Sequence, residues 1–414
     1  MHLETNLTPQ AFSYATLGSN GMIYIPPFGL NESIDYMLKM DPTTYAITKI
    51  KLDVDDSFEK WQHGIVYRHL IYFLPYNESK ILVVDTETDE ITYIEVSPKG
   101  KGKYIQGHLH GNEIVALPYG EHEPFSWAMH INLNDHTLKH VHIDVPTEDC
   151  KKWHTTQMID GIIYGVPRGE ACEDPMFHYR IHYDCNSMTY ELIDMRNHWL
   201  PLADKQFTNK KFTTLAKVGR KLYAPPYSEN PDFDVLLRFD GTRWFSESTG
   251  LTDTSRMYYT HTVSRNGKIY FPPAGHDEDW SDMLIVDTNL DAWYTLDLHI
   301  GKESKKYFAG KENSKSKIYY IPRGGCVCEP KETWKSQGDL AEILVVDTKD
   351  DSYYTIDVGE YFKDSTTIEK YNNCLIHDDV IFAFPYGESD SFQTVLVFDT
   401  KTEKVVHTVD LNNV

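Results

Sequence analysis

Three observations predict an all-β fold, a single eight-bladed β-propeller of four-stranded antiparallel blades: a phrase of the form IYxxP that recurs eight times, landmark residues that keep step with it, and apolar runs that are short and β-branched. The copies are MIYIPPFG from Met22, LIYFLPYN from Leu70, EIVALPYG from Glu113, IIYGVPRG from Ile162, KLYAPPYS from Lys221, KIYFPPAG from Lys268, KIYYIPRG from Lys317 and VIFAFPYG from Val380. Their prolines, Pro27, Pro75, Pro118, Pro167, Pro226, Pro273, Pro322 and Pro385, are 48, 43, 49, 59, 47, 49 and 63 residues apart. A propeller blade takes roughly 40–50 residues.

Each copy divides into four strands, A to D. The A strand begins at an aromatic residue 13 to 15 positions before the proline: Tyr14, Trp61, Tyr104, Trp153, Phe212, Tyr259, Tyr307 and Tyr371. The B strand ends at the proline, which removes a backbone donor where pairing finishes. The C strand ends at Asp41, Asp85, Asn132, Asp184, Asp240, Asp287, Asp347 or Asp399, in phrases such as ILVVDT. The D strand follows in phrases such as TYIEV and YYTIDV. Asn20-Gly21, Asp160-Gly161 and Asn266-Gly267 suit tight A–B hairpins. DTETDE from Asp85 and DTKTEK from Asp399 suit C–D turns in which Asp and Thr side chains bond nearby backbone. Apolar C strands such as Ile81 to Val84 suit burial on both faces between neighbouring blades. The expected organisation is an N-terminal extension over 1–10 and a propeller over 11–414, with blades at 11–52, 58–97, 101–145, 150–195, 209–250, 256–299, 304–359 and 368–414. Because each blade reads A-B-C-D, closure of the last blade on the first needs packing and no exchanged strand.

The repeat resembles β-propellers of the kelch-like kind across nearly the whole chain, through IYxxP and VVDT. The Gly-Gly doublet of a kelch repeat and the WD dipeptide do not recur. The resemblance implies architecture and a habit of binding other molecules at the propeller faces, and it transfers no catalytic residue.

Composition narrows the function. A formal charge of -22, from 62 acidic and 40 basic residues, opposes association with nucleic acid or anionic lipid. No run of about 18 apolar residues offers a membrane span, and Met1 to Gln10 lacks the pattern of a signal peptide. The expectation is a soluble acidic protein, cytoplasmic or part of a virion or other large assembly. Six scattered cysteines in a chain this long read as reduced thiols.

Lys60, Lys103, Lys152, Lys211, Lys306 and Lys370 each stand directly before an A-strand aromatic. If A strands line a central channel, these cations ring its mouth and could gather an anion. Structural ion pairing competes with that reading, because Glu78, Glu121, Glu170, Glu229 and Glu388 each follow one of these lysines by 18 residues. Blades that break the pattern draw attention to His276 and the acids around it, and to the long connection GGCVCEPKETWKSQGD from Gly324, which carries Trp334. Cys326-x-Cys328, His108-x-His110, His140-x-His142 and the pair His178 and His182 lack a spaced third ligand, so no metal and no cofactor is expected. Hydrolase, zincin and nucleotide-binding signatures are missing. The leading reading is a non-catalytic binding or assembly module with a protein or glycan partner. The alternative is a carbohydrate-active hydrolase or lyase at the channel mouth, drawing on acids such as Glu170, Glu173, Asp277, Glu278 and Asp279.

Overall fold

The computed structural model describes residues 12, 14–29, 34–55, 57–121, 123–146, 151–169, 177–196, 211–228, 233–250, 256–258, 260–274, 281–300, 307–323, 340–362, 370–386 and 392–414. They form eight four-stranded antiparallel sheets in chain order, each with its strands in the order A-B-C-D. The fold is an all-β eight-bladed propeller. No helix among the described residues is long and apolar enough to cross a membrane.

The chain packs as two compact units. The first comprises Met1–Phe73, Leu82–Thr92 and Lys302–Val414. It contains blade 1 (Thr16–Leu17, Ile23–Ile25, Tyr36–Met40, Ile47–Lys51), blade 7 (Tyr307–Glu312, Lys317–Pro322, Glu342–Asp347, Tyr353–Asp357) and blade 8 (Tyr371–His377, Val380–Pro385, Thr394–Asp399, Lys404–Asp410). Most of blade 2 (Trp61–Tyr67, Leu70–Pro75, Lys80–Asp85, Ile91–Glu95) belongs to it as well. The second comprises Leu74–Ile81 and Tyr93–Gly301. It contains blade 3 (Gly107–His110, Glu113–Ala116, Trp127–Asn132, Leu138–His142), blade 4 (Thr156–Ile159, Ile162–Gly165, Tyr179–Asp184, Thr189–Asp194), blade 5 (Ala216–Val218, Lys221–Ala224, Val235–Phe239, Trp244–Ser248) and blade 6 (Thr262–Val263, Lys268–Phe271, Asp282–Asp287, Ala292–Asp297).

The two-residue period of a strand lets one blade bury both faces. In blade 4, Ile163, Ile181 and Tyr183 pack on Val115 and Ala128 of blade 3. The alternate residues Tyr164 and Val166 pack on Leu222, Ala224 and Leu237 of blade 5. In the first unit, Phe382, Val395 and Val397 of blade 8 pack in the same way on Ile23, Ile25 and Leu38 of blade 1. The last blade thus meets the first by packing, with all four strands of each sheet drawn from its own blade.

The phrase VVDT has a physical explanation in the C–D turns. The Oδ1 atom of the C-strand Asp accepts from backbone N–H groups two and three residues on: Glu87 and Thr88 for Asp85, Asn186 and Ser187 for Asp184, Thr242 and Arg243 for Asp240. Hydrogen bonds from the Thr242 hydroxyl and the Arg243 and Thr242 N–H groups hold the Asp240 carboxyl down at about 2. The following Thr donates its hydroxyl to a carbonyl of the A–B turn: Thr86 to His69, Thr288 to Gly267, Thr348 to Ser316 and Thr400 to Asp379. Asp shapes one hairpin turn, and Thr ties it to the next.

Three of the A-strand aromatics are buried latches. Trp153 Nε1 donates to the carbonyl of Tyr179, Tyr258 Oη to Asp282 and Tyr371 Oη to Thr394, in each case at the start of the C strand of the same blade. Blades 1 and 6 differ in register from the sequence expectation. Phe12, buried against Tyr36, fills the position assigned to Tyr14, and Tyr258 fills the one assigned to Tyr259, which lies outside the described residues. Phe12 and Tyr258 each meet the start of the C strand of their own blade, at Tyr36 and Asp282.

Candidate functional site

The two edges of the blades differ. One edge is closed by tight turns: in the second unit A–B turns at 111–112, 160–161 and 219–220 and C–D turns at 133–137, 185–188, 240–243 and 288–291, and in the first unit C–D turns at 348–352 and 400–403. The other edge carries longer B–C and D–A connections, including 117–126, 143–155, 166–178 and 195–215 in the second unit and 26–35, 52–60 and 323–341 in the first. At this edge Tyr227–Ser228 also pairs with Arg256–Met257 as a short ribbon.

The framework under that edge is a backbone zigzag between the pre-aromatic lysines and the residue after each B-strand proline. In the second unit, Lys103 N–H donates to Tyr76 O (2.9 Å), Tyr119 N–H to Lys103 O (2.8 Å) and Lys152 N–H to Tyr119 O (2.9 Å). The series continues through Arg168 N–H to Lys152 O (2.9 Å), Lys211 N–H to Arg168 O (3.0 Å) and Tyr227 N–H to Lys211 O (2.7 Å). In the first unit, Lys370 N–H donates to Arg323 O (2.8 Å) and Tyr386 N–H to Lys370 O (2.9 Å).

Lys60, Lys103, Lys152, Lys211 and Lys370 are all buried, with no more than 1% of each exposed, so their ammonium groups do not face open solvent. Lys60 Nζ donates to the carbonyl of Ser57, and Lys103 Nζ to those of Gly100 (2.7 Å) and Glu78 (2.6 Å). In both cases the lysine folds back on the carbonyl three residues earlier and closes the D–A connection it follows. Burial pulls Lys211 down to about 7. The expected partner of Lys103, Glu121, is held instead by Lys151 at 2.5 Å. Lys306, His276 and Trp334 lie outside the described residues, as do Glu170, Glu229, Glu388, Cys326, Cys328 and the acids Glu173 and Asp277 to Asp279.

Three histidines of blade 3 serve hydrogen bonding. His108 Nε2 meets Thr156 Oγ1 at 2.7 Å, and His110 Nε2 meets Asn186 Oδ1 at 3.0 Å. His130 stands between Glu113 and Tyr183: Nδ1–H donates to the carboxylate (2.9 Å), which leaves Nε2 to accept from the phenol (2.7 Å). Among the described residues no group of three or more His, Cys, Asp or Glu is set to hold a metal ion.

The residues after the B-strand prolines stand in every quoted phrase, and no spacing rule marks them as a group. They are Phe28, Tyr76, Tyr119, Arg168, Tyr227, Ala274, Arg323 and Tyr386. In the second unit the Arg168 guanidinium lies 5.8 Å from the Tyr119 ring and 5.5 Å from the Tyr227 ring, and its Nη1 donates to Tyr119 Oη at 2.7 Å. Tyr76 and Tyr119 adjoin at 6.2 Å. In the first unit Arg323 lies over Tyr386 at 5.8 Å, and Tyr386 stacks on Phe28 at 6.4 Å. Aromatic and guanidinium groups thus adjoin one another at the B-strand ends within each unit.

No protein-family model matches the chain, and no curated protein matches it. Solved structures share its fold. Dihydro-heme d1 dehydrogenase NirN in complex with DHE is similar with a TM-score of 0.56 at 9% identity, over 92% of this chain and 72% of that one. Apo AztD from Citrobacter koseri is similar with a TM-score of 0.54 at 8% identity, over 92% and 93%. YCF48 from Cyanidioschyzon merolae is similar with a TM-score of 0.52 at 9% identity, over 95% and 97%. At such identities the likeness concerns the fold alone.

Proposed function

We propose that the chain is a non-catalytic binding or assembly module that holds a protein or glycan partner at the edge bearing its long connections. The observation that carries this reading is the asymmetry of the blades: Asx turns close one edge, whereas the strands at the other edge are joined by longer connections and backed by a hydrogen-bonded backbone zigzag. Long connections on a rigid frame are the usual carriers of recognition.

The test compares three forms of the full chain as bait for partners in an extract of the natural source: the unaltered protein, a deletion of Lys331 to Gly338 in the connection 323–341, and Lys349→Glu in a tight turn of the same blade. Loss of the partner from the deletion alone is the expected result. Retention by the deletion together with loss from Lys349→Glu would place recognition at the opposite edge and overturn the proposal.

A further inference from the structure

Three blade junctions share one clasp, in which a B-strand tyrosine and a basic side chain of one blade meet an acid four residues after the C-strand Asp of the next. Tyr24 Oη (2.9 Å) and Lys39 Nζ meet Asp89 in the first unit. There too, Tyr319 Oη (3.1 Å) and Lys317 Nζ (2.9 Å) meet Glu403. In the second unit Tyr223 Oη (3.2 Å) and Lys221 Nζ (2.7 Å) meet Asp291, and Arg238 lies 3.5 Å from the same carboxylate.

The junction of blades 4 and 5 has the tyrosine and the cation without the acid. Tyr164 occupies the B-strand position with His182 opposite it, and the cation is Arg180, two residues before His182 on the same face of that C strand. Four residues after Asp240 stands Trp244, because this turn occupies only 240–243 before the D strand begins. Arg180 is 9% exposed, its Nε and Nη1 are buried with no hydrogen-bond partner, and its guanidinium rests 4.9 Å from the Trp244 ring. Trp244 Nε1 is already committed to His182 Nε2 at 3.3 Å. The nearest acid, Glu191, is 71% exposed and turned toward His182 Nδ1 at 3.7 Å. Burial lowers Arg180 to about 10 even though Glu191 and Tyr164 oppose the shift. A buried guanidinium without an acceptor is costly, and an added oxyanion removes the cost by accepting from it.

We propose that this junction is an oxyanion site, taking the carboxylate or phosphate group of a ligand beside Trp244, where Arg180 lacks the acid that Asp89, Asp291 and Glu403 supply at the other junctions, with Arg180 and the Tyr164 hydroxyl as donors. The site requires only that the incoming group reach the flank of blades 4 and 5, so it stands independently of the recognition edge.

The experiment titrates the full chain, labelled with 15N-arginine, with sodium acetate and separately with sodium phosphate at constant ionic strength set by chloride. The Arg180 Nε–H resonance is identified by its loss in Arg180→Lys. A saturable shift of that resonance is expected, together with a rise in thermal midpoint that Arg180→Lys lacks and that needs several-fold more anion in Tyr164→Phe. A response to acetate alone identifies a carboxylate site, a response to phosphate alone a phosphate site, and a response to both a general oxyanion site. No shift with either anion overturns the proposal, and so does an equal midpoint rise in Arg180→Lys. A response that appears only in Glu191→Gln also overturns it, since Glu191 would then be the natural occupant.

Discussion

Glu403→Ala is the sharpest test of how blades are fastened together. The Glu403 carboxylate accepts from Lys317 Nζ at 2.9 Å, from Tyr319 Oη at 3.1 Å and from Tyr354 Oη. The Tyr319 hydroxyl retains the Thr400 carbonyl at 3.1 Å, so its loss is small. Tyr354 keeps no acceptor in the clasp and Lys317 Nζ keeps only the Tyr354 hydroxyl at 2.7 Å, and hydrogen bonds to charged groups contribute about 1.5–3 kcal/mol each. Partial exposure of the Lys317 side chain allows water to recover part of that, which leaves a net cost of about 3 kcal/mol. Urea denaturation at pH 7, read together with hydrogen exchange of Tyr319, Tyr320 and Val395 to Val397, measures it. The pH dependence supplies an internal control. Burial raises the Glu403 pKa, but the bonds from Tyr354, Lys317 and Tyr319 outweigh it and the net shift is downward. Its contribution is therefore complete above the carboxylate's unfolded pKa of about 4.3 and vanishes as pH falls through the lower folded value. The two proteins should converge in stability in acid. A cost below about 0.5 kcal/mol at pH 7, or a gap that persists undiminished into acid, would refute the reasoning.

Two further predictions concern buried polar groups of the framework. Tyr371→Phe removes the donor to the Thr394 carbonyl and should cost about 1–2 kcal/mol, whereas Tyr104→Phe, whose hydroxyl is buried without an acceptor, should be neutral or stabilising in the same denaturation series. Equal losses for the two would show that the hydroxyl bond is irrelevant to the latch. Lys211, pulled down by burial, should titrate with a midpoint near 7 in 15N-lysine spectra. Because its unfolded pKa is higher, it should make the fold more stable as pH rises from about 7 toward 10.4, a gain absent from Lys211→Met. A midpoint above about 9.5 would contradict the buried environment described for it.

The repeat was legible in the sequence because each landmark has a local cause. Proline ends a strand wherever it stands, Asp at the end of a C strand makes its own Asx turn, and Thr beside it reaches the adjacent hairpin. What escaped notice depended on geometry across blades. Phe12 and Tyr258 meet the start of their C strands, and spacing from the proline alone does not contain that distance. The lysines were recognisable as a series, but their environment was not, since Lys103 is enclosed by carbonyls of Glu78 and Gly100 from two different connections. Arg168 between Tyr119 and Tyr227 stood in the phrases VPRG and PPYS, and only the packing of three consecutive blades brings those residues together. Trp244 in the place of an acid could be read by counting four residues from Asp240, once the acids at Asp89, Asp291 and Glu403 were known to have a purpose.

Hydroxyl-radical footprinting of the chain isolated with its natural partner, against the chain alone, tests most directly the claim that one edge of the blades is built for recognition. Protection should fall on residues of the connections 26–35, 117–126 and 323–341 and spare the turns 133–137, 240–243 and 400–403. Protection concentrated on those turns, with the connections as reactive as in the isolated chain, would contradict it.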